Sequence, residues 1–331
     1  MTTPSVQVPT IDIDRDPARV GAEIDETLRS VGFFQIVGHG VPDVVADRCW
    51  QLTRAYFDLP LEDKLAVERR EGSHYGYFPI AAESLAQSLD AKAPGDLKES
   101  LNAGRPLPAG HHPADAAEAA LFEAPRWPDA SLPGLRPAWE AYMAEMTALS
   151  ERLLSIFALG LGLDASFFAD KVDAAPVSQR AINYPEQALP PEEGQLRAGA
   201  HTDYGTLTIL RQERGRGGLQ VHDGATDSWI DIPSTEGALV INIGDLMARW
   251  TNDRWTSTLH RVVNPDAGSR MSNRRQSMPF FHNANYSQLV ECLPTCAGPD
   301  GESRYEPVLA GPHLAAKAAK AVSGVPRPTS R

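Results

Sequence analysis

The sequence predicts a mixed α and β fold, in which helices surround an antiparallel sandwich or jelly-roll barrel. Two observations carry this prediction. Between residues 133 and 163, apolar residues recur every three or four positions, which is the period of an amphipathic helix. From residue 177 onward the period falls to two, in short runs separated by Gly, Pro, Asn and Asp. Such runs are typical of antiparallel strands joined by turns.

The segments before the long helix alternate between strand and helix patterns. Residues 7–13 alternate apolar and polar side chains and predict a strand, and 17–30 predict a helix with one apolar stripe. A β-rich run, VGFFQIVGHG, follows, and 43–57 predict a second helix that ends near Pro60. Residues 68–133 are rich in Gly, Pro and Ala, so we expect long loops there and one short strand near 98–102.

Seven β-like runs form the predicted barrel: VSQRAINYP, HTDYGTLTILRQ, GGLQVHD, SWIDIP, GALVINIGD, TSTLHRVVN and RQSMPFF. An Ala- and Lys-rich helix is expected at about 312–323, followed by a tail, SGVPRPTSR. We therefore expect four regions. They are an N-terminal region that covers the barrel (1–110), a loop and backing helix (111–175), the jelly-roll (176–290), and a C-terminal helix with its tail (291–331).

Composition limits the class of partner. The chain has 331 residues, of which 42% are apolar, and 31 basic against 43 acidic residues give a net charge of −12. This balance argues against nucleic acid or an anionic membrane as the main partner. No apolar stretch approaches the roughly 20 residues of a membrane span, so we expect no membrane partner and a cytoplasmic location. Three scattered cysteines do not make a disulfide framework.

Three residues in the barrel strands have the chemistry of a metal site. His201 and Asp203 lie two positions apart in AHTDYGTLTIL, and His260 follows 57 positions later in STLHRVVN. Two imidazoles and one carboxylate from separate strands make the 2-His-1-carboxylate arrangement of non-haem Fe(II) oxygenases. Three protein ligands on one face of an octahedron leave room for a co-substrate and O2. We therefore predict that His201, Asp203 and His260 bind iron.

An arginine and a serine in the last strand-like run suit a carboxylate. Arg275 and Ser277 share one face of a strand, and a guanidinium beside a hydroxyl binds carboxylates well. Arg270 and Ser272 have the same spacing, but polar residues follow them, so we place that pair in a loop. The sequence therefore favours Arg275 as the anion-binding residue.

Taken together, the chain resembles the isopenicillin-N-synthase-like family of Fe(II)/2-oxoglutarate-dependent oxygenases. The similarity extends from about residue 7 to 310. DETLRSVGFFQIVGHGVP resembles the family's N-terminal region. The barrel segments NYP, GAHTDYGTLTIL, GGLQV, NIGDLMARWTNDRW, STLHRVVNP and RQSMPFF occur in the family's order. The resemblance implies a double-stranded β-helix (jelly-roll) core, with residues 1–110 as the non-haem dioxygenase N-terminal type of region.

The same resemblance implies the site and the reaction. His201, Asp203 and His260 match the iron ligands, and Arg275 with Ser277 matches the pair that holds the distal carboxylate of 2-oxoglutarate. Tyr184 matches a tyrosine that hydrogen-bonds the co-substrate near its iron-bound end. The implied enzyme uses Fe(II), 2-oxoglutarate and O2. It hydroxylates, desaturates or cyclises a small molecule of secondary metabolism at an unactivated C–H bond, releasing succinate and CO2.

The sequence leaves two alternatives open. Isopenicillin N synthase itself keeps an Arg-x-Ser pair without using 2-oxoglutarate, so one alternative is an oxidase of that kind. The other is a non-catalytic barrel that binds a small acid. Two segments are expected to contact the substrate by analogy with the family, the runs at 98–102 and 75–78.

Overall fold

Two β-sheets lie against each other at the centre of the structure, and helices cover the outer face of the larger sheet. The computed structural model describes residues 7–89, 93–187, 189–265 and 272–322. The larger sheet has eight strands and the smaller one has four. Strand pairs in both sheets are antiparallel, apart from one parallel pair at the edge of the larger sheet. The predicted mixed α and β fold with a jelly-roll core is confirmed.

The helices of the described residues are α1 (Pro17–Leu28), α2 (Asp43–Phe57), α3 (Leu61–Leu65), α4 (Ala116–Leu121), α5 (Leu135–Gly160), α6 (Ala169–Val172), α7 (Asp245–Trp250) and α8 (Ala310–Val322), with short 3₁₀ helices at Leu85–Leu89 and Pro294–Cys296. The strands are β1 (Thr10–Asp12), β2 (Phe33–Val37), β3 (Gly76–Phe78), β4 (Glu99–Gly104), β5 (Val177–Tyr184), β6 (Ala198–His201), β7 (Leu207–Gln212), β8 (Leu219–Asp223), β9 (Ser228–Asp231), β10 (Leu239–Ile243), β11 (His260–Val262), β12 (Arg275–His282), β13 (Leu289–Val290) and β14 (Val308–Leu309).

The order of strands in the larger sheet is β1-β2-β10-β7-β12-β5-β4-β3, and in the smaller sheet it is β6-β11-β8-β9. β13 and β14 pair separately near the C-terminus. N-terminal strands therefore extend both edges of the larger sheet, which brings the segments around residues 75–78 and 98–102 beside the barrel strands.

Helix positions follow the apolar spacing closely. α2 begins and ends at the predicted residues, and α5 lies within the predicted range 133–163. The start of α1 is set by Asp16, whose side chain accepts a hydrogen bond from the backbone N–H of Arg19 at 3.0 Å, while Pro17 occupies the first helical turn. These local signals fix helices that the tertiary structure then covers.

Each strand of the larger sheet presents alternate residues to two different cores. On β5, Val177 and Ala181 pack in the apolar core formed with α1, α2 and α5. Ile182 and Tyr184 pack in a second cluster, between the two sheets. Successive side chains on a strand point to opposite faces, so the period of two in the sequence places one row under the helices and the other row inside the barrel.

Two parts of the barrel region differ from the expectation. The run HTDYGTLTILRQ is not one strand, because β6 ends at His201 in the smaller sheet and β7 begins at Leu207 in the larger sheet. The five residues between them carry the chain from one sheet to the other. The run after β10 also forms a helix, α7, which the sequence pattern did not predict.

The Gly- and Pro-rich region 68–133 contains more structure than expected. The predicted strand is β4, and β3, α4 and the short helix Leu85–Leu89 accompany it. These elements are only three to six residues long, too short for a periodic pattern to emerge. The C-terminal tail SGVPRPTSR, Arg270 and Met271 lie outside the described residues. Within the described chain, no helix is both long and apolar enough to span a membrane.

The contact between α1 and α5 depends on a missing side chain. A Cβ atom on Gly21 would lie 2.8 Å from the nitrogen of Gly160 and 2.8 Å from the carbonyl oxygen of Ile156. Both obstacles are backbone, which cannot rotate away. We expect Gly21→Ala to lower the free energy of unfolding by about 1–3 kcal/mol through overpacking, as measured by urea denaturation.

Gly217→Ala is the matched control, because a Cβ there meets no atom of the described chain within 4 Å. Its effect should stay within about 0.5 kcal/mol. Equal destabilisation by the two substitutions would contradict the proposed close contact of the helices.

Candidate metal centre

His201, Asp203 and His260 converge at one end of the smaller sheet. His201 is the last residue of β6, His260 is the first of β11, and these two residues are paired across the two strands. The Nε2 atoms of His201 and His260 lie 4.0 and 3.8 Å from Oδ1 of Asp203. One potential ligand atom from each residue lies within 4.8 Å of the other two. The three side chains could therefore hold one metal ion between them.

Backbone carbonyls fix the tautomer of both imidazoles. Nδ1 of His201 lies 2.8 Å from the carbonyl oxygen of Gly199, and Nδ1 of His260 lies 3.1 Å from that of Thr258. A carbonyl oxygen only accepts hydrogen bonds, so each Nδ1 carries the proton. In the neutral form of each imidazole, Nε2 then keeps the lone pair, directed at the gap between the three side chains, and this is the form that binds a metal.

Asp203 is oriented by two residues of the larger sheet. Oδ2 of Asp203 accepts hydrogen bonds from Oγ1 of Thr208 at 2.6 Å and from Nδ2 of Asn242 at 2.7 Å. These bonds leave Oδ1 directed toward the imidazoles. The sequence analysis identified neither Asn242 nor Thr208 as a residue of the site. The one available signal was their position in the motifs NIGD and GTLTIL.

Burial sets the charge of the site. All three side chains are at most 14% exposed. Burial, reinforced by the neighbouring His260, lowers the pKa of His201 to about 3, so this imidazole is neutral at pH 7. Burial alone would raise the pKa of Asp203, but the two imidazoles and the bonds from Asn242 and Thr208 outweigh it and lower that pKa. His201 is therefore a neutral imidazole beside the carboxylate of Asp203.

Glycines allow the turn that carries Asp203 to lie against the end of β10. The backbone N–H of Asp245 donates to the carbonyl oxygen of Asp203 at 2.8 Å. A Cβ on Gly244 would lie 2.4 Å from the carbonyl oxygen of Gly205. Any side chain at residue 244 would push the two backbones apart, so the glycine is needed for this approach.

His260 is positioned by a segment anchored to α1. Arg254 makes two hydrogen bonds of 2.9 Å with the carboxylate of Asp25, and the indole of Trp255 donates to the same carboxylate at 2.8 Å. Oγ1 of Thr258 then donates to the carbonyl oxygen of Val31 at 2.9 Å. The N-terminal region therefore holds the chain that leads directly into His260.

Among the described residues, the buried guanidinium of Arg275 has no carboxylate partner. It is 2% exposed, and its Nη2 donates to Oε1 of Gln212 at 3.3 Å. Nε and Nη1 are buried without a hydrogen-bond partner in the described chain. Its guanidinium lies 5.0 Å from the ring centre of Tyr184, the residue opposite it on β5. A buried guanidinium with two unused N–H donors is suited to bind an anion. A carboxylate fits best, because its two oxygens can accept two parallel hydrogen bonds from a guanidinium.

A cavity of about 590 Å³ joins the two groups of residues. All six predicted site residues line it: Tyr184, His201, Asp203, His260, Arg275 and Ser277. It extends past them toward the N-terminal segments, where it is lined by Tyr75, Phe78, Lys98 and Asn102. The expected substrate-contacting runs therefore do reach the cavity.

The C-terminal helix closes part of the same cavity. Leu314, Ala315 and Ala318 of α8 line it, and Nζ of Lys317 binds Oδ2 of Asp245 at 2.8 Å. α8 also packs against the short helix Leu85–Leu89 and α4. Arg197, by contrast, does not line the cavity in the described structure and donates to the carbonyl oxygen of Asn273 at 2.6 Å.

The fold and the site define a class. A jelly-roll that joins two imidazoles and a carboxylate to a buried, unpaired arginine is the arrangement of a non-haem iron oxygenase with a carboxylate co-substrate. Residues 8–130 match the family "non-haem dioxygenase in morphine synthesis N-terminal", and 176–284 match the "2OG-Fe(II) oxygenase superfamily". The chain belongs to the 2OG-Fe(II) oxygenase superfamily.

Individual relatives agree with this assignment. The chain is 33% identical to the 2-oxoglutarate-Fe(II) type oxidoreductase hxnY of Emericella nidulans, over 88% of this chain and 81% of that protein. It is also 33% identical to validamycin A dioxygenase of Streptomyces hygroscopicus subsp. limoneus, over 89% of this chain and 82% of that protein. A full-length Neurospora crassa protein, solved in complex with alpha-KG and thymine, superposes with a TM-score of 0.82 at 28% identity. The match covers 96% of this chain and 98% of that one.

The protein is therefore a non-haem iron dioxygenase that acts on small molecules and uses Fe(II), 2-oxoglutarate and O2. The residues fit these groups on two independent grounds. The two imidazole Nε2 atoms and the free carboxylate oxygen are borderline and hard donors that suit Fe(II), and Arg275, which has no carboxylate partner in the described chain, suits the second carboxylate of 2-oxoglutarate.

The hydrogen bond from Thr208 to Asp203 predicts an effect on metal affinity. Thr208→Val keeps the shape of the side chain but removes this donor, so the carboxylate loses orientation. We expect the affinity for Mn(II), used as a stable substitute for Fe(II), to fall by roughly 10- to 100-fold, as measured by titration calorimetry.

Thr206→Val is the matched control, because its hydroxyl bonds the carbonyl oxygen of His282 at 2.9 Å and does not contact Asp203. It should leave the Mn(II) affinity within about threefold of the unsubstituted protein. If both variants lose affinity equally, the loss comes from general destabilisation of the barrel.

Proposed function

We propose that His201, Asp203 and His260 are the ligands of Fe(II), and that Arg275 with Ser277 binds the distal carboxylate of 2-oxoglutarate. The observation that carries the proposal is the joint lining of one cavity by a three-residue donor cluster and an unpaired buried guanidinium. The charges support it as well. Fe(II) with one carboxylate leaves one positive charge, and Arg275 adds a second, which together balance the two carboxylates of 2-oxoglutarate.

Tyr184 is assigned a different place from the one that the family resemblance implies. It is paired with Arg275 across β5 and β12, and its ring lies 5.0 Å from the guanidinium. This proximity supports a role at the distal carboxylate rather than at the iron-bound end of the co-substrate. Its phenol would then donate a hydrogen bond to the same carboxylate that Arg275 neutralises.

When bound, iron with 2-oxoglutarate and O2 supplies an oxidant strong enough to break an unactivated C–H bond, and 2-oxoglutarate is converted to succinate and CO2. The chain's own residues supply position and seclusion. Asn242 and Thr208 hold Asp203, and the carbonyls of Gly199 and Thr258 hold the two imidazoles. The walls of the cavity exclude water and hold the substrate so that one C–H bond faces the metal.

We propose that the substrate is a small organic metabolite that is hydroxylated, desaturated or cyclised. The names of relatives support this class, among them homoarginine-6-hydroxylase 2-ODD-C23.1 of Arabidopsis thaliana and validamycin A dioxygenase. The net charge of −12 supports a small molecule over nucleic acid as partner. The three free cysteines support a reducing compartment such as the cytoplasm.

The two alternatives are less well supported. An oxidase that does not use 2-oxoglutarate is disfavoured by relatives whose names include 2-oxoglutarate. A non-catalytic acid-binding barrel would not need two imidazoles held in their metal-binding tautomer beside an oriented carboxylate. The arrangement therefore supports an active enzyme.

Loss of either of two ligands tests the metal assignment. His201→Ala and Asp203→Ala are each expected to abolish iron-dependent succinate formation, because two remaining protein ligands hold Fe(II) too weakly. Succinate released from 2-oxoglutarate measures turnover, and circular dichroism checks the fold. His222→Ala is the matched control, because His222 is outside the cavity and pairs with Asp227 at 3.0 Å. Turnover that survives in both ligand variants would overturn the assignment.

Arg275→Leu tests the co-substrate assignment. Loss of a buried guanidinium from one side of an ion pair costs about 2–5 kcal/mol, which corresponds to an increase of tens- to thousands-fold in the KM for 2-oxoglutarate. The comparison variant is Arg270→Leu, which removes the arginine of the rival Arg-x-Ser pair. A large increase in KM for Arg270→Leu and none for Arg275→Leu would show that the wrong arginine has been assigned.

A further inference from the structure

Arg180 also lines the cavity, and its charge is already balanced. Arg180 of β5 forms an ion pair with Glu83, and their side chains are 12% and 7% exposed. Arg180 also donates to Oγ of Ser100 at 2.7 Å. Arg275, in contrast, has no carboxylate partner in the described chain. Arg180 and Arg275 therefore differ in the ligand that they can accept, because the charge of Arg180 is already balanced and that of Arg275 is not.

A donor and an acceptor next to this ion pair have no partner. Nε of Arg180 and Oδ1 of Asn102 are both buried without a hydrogen bond in the described structure. The orientation of the Asn102 amide is set by its Nδ2, which donates to the carbonyl oxygen of His74 at 3.3 Å. Asn102 and Arg180 are directly paired across β4 and β5, and both line the cavity.

Unpartnered buried polar atoms of this kind are costly. Each one forfeits the hydrogen bonds that it makes to water in the unfolded chain. Because both side chains line the cavity, a molecule bound there can supply the missing partners. It would need an acceptor for Arg180 and a donor for Asn102 close together on one edge.

The wall beside this pair is aromatic. The guanidinium of Arg180 lies 5.3 Å from the ring centre of Phe78, which also lines the cavity. Phe281 lines it as well, on the strand adjacent to β5. Aromatic walls around a single polar edge accommodate a flat or compact apolar body.

We infer that the primary substrate presents an uncharged edge with adjacent acceptor and donor, such as a lactam, amide or ureide, to Arg180 and Asn102. An anion is disfavoured because Glu83 already neutralises Arg180 and would repel a second carboxylate. The inference rests on the proposed function, because it takes the Arg275 end of the cavity as the 2-oxoglutarate site.

Three probes of similar size separate the possibilities. They are 2-pyridone, which has the acceptor–donor edge, 1-methyl-2-pyridone, which lacks the donor, and benzoate, which is an anion. Each is titrated calorimetrically into protein loaded with Fe(II) and 2-oxoglutarate in the absence of O2. We expect 2-pyridone to bind about tenfold or more tightly than either of the other two. No measurable binding of 2-pyridone, or tighter binding of benzoate, would overturn the inference.

Variants assign the preference to residues. Asn102→Leu and Arg180→Lys should each weaken 2-pyridone binding by about tenfold. The matched control is Arg261→Lys, because Arg261 also lies over an aromatic ring, 3.9 Å from that of Trp229, but does not line the cavity in the described structure. Unchanged 2-pyridone affinity in Asn102→Leu would contradict the assignment even if Arg180→Lys failed to fold.

Glu83→Gln provides a test of opposite sign. Removal of the neutralising carboxylate leaves Arg180 unpaired, so benzoate should gain affinity relative to 2-pyridone. An unchanged preference would contradict the role of Glu83.

The titration of 2-oxoglutarate itself distinguishes failure of this inference from failure of the proposed function. If 2-oxoglutarate does not bind, the proposed function fails, whereas if it binds normally and the probe preference is absent, only this inference fails.

Discussion

The pairing of β6 with β11 is the constraint on which the site depends. It puts His201 opposite His260, so two residues far apart in the sequence face the same gap. The third donor comes from the turn that leaves the smaller sheet, and its carboxylate is held by Thr208 and Asn242 of the larger sheet. The proposed metal centre therefore lies where the two sheets are joined. Its geometry is a property of the whole barrel rather than of one loop.

The sequence predicts those features that a local pattern specifies. α2 and α5 were found because their apolar residues repeat over many turns, and the barrel strands because they alternate. The break between β6 and β7 was missed, since a run of polar and apolar residues reads the same whether the chain continues in one sheet or crosses to another. β3 and α4 are too short for any period to show. Length, more than composition, decided which elements were recognisable.

At the site, residue type was predictable and environment was not. The metal-binding chemistry of His201, Asp203 and His260 is recognisable from the motifs that contain them, and the structure brings the three together. Arg180 has a carboxylate partner, Glu83, which lies 97 positions earlier in the sequence. Arg275 has no such partner in the described chain. No spacing rule connects two residues that meet only through tertiary structure. The different roles of these two arginines could therefore emerge only from the folded chain.

α8 contributes to the wall of the cavity but not to the proposed iron and co-substrate residues. Leu314, Ala315 and Ala318 form part of the cavity wall, yet the described part of the helix carries none of the proposed iron or co-substrate residues. Replacement of its small side chains can change the shape of the cavity while the proposed iron and co-substrate residues stay in place. Substitutions in α8 can therefore change which molecules fit the cavity without changing the proposed iron and co-substrate residues.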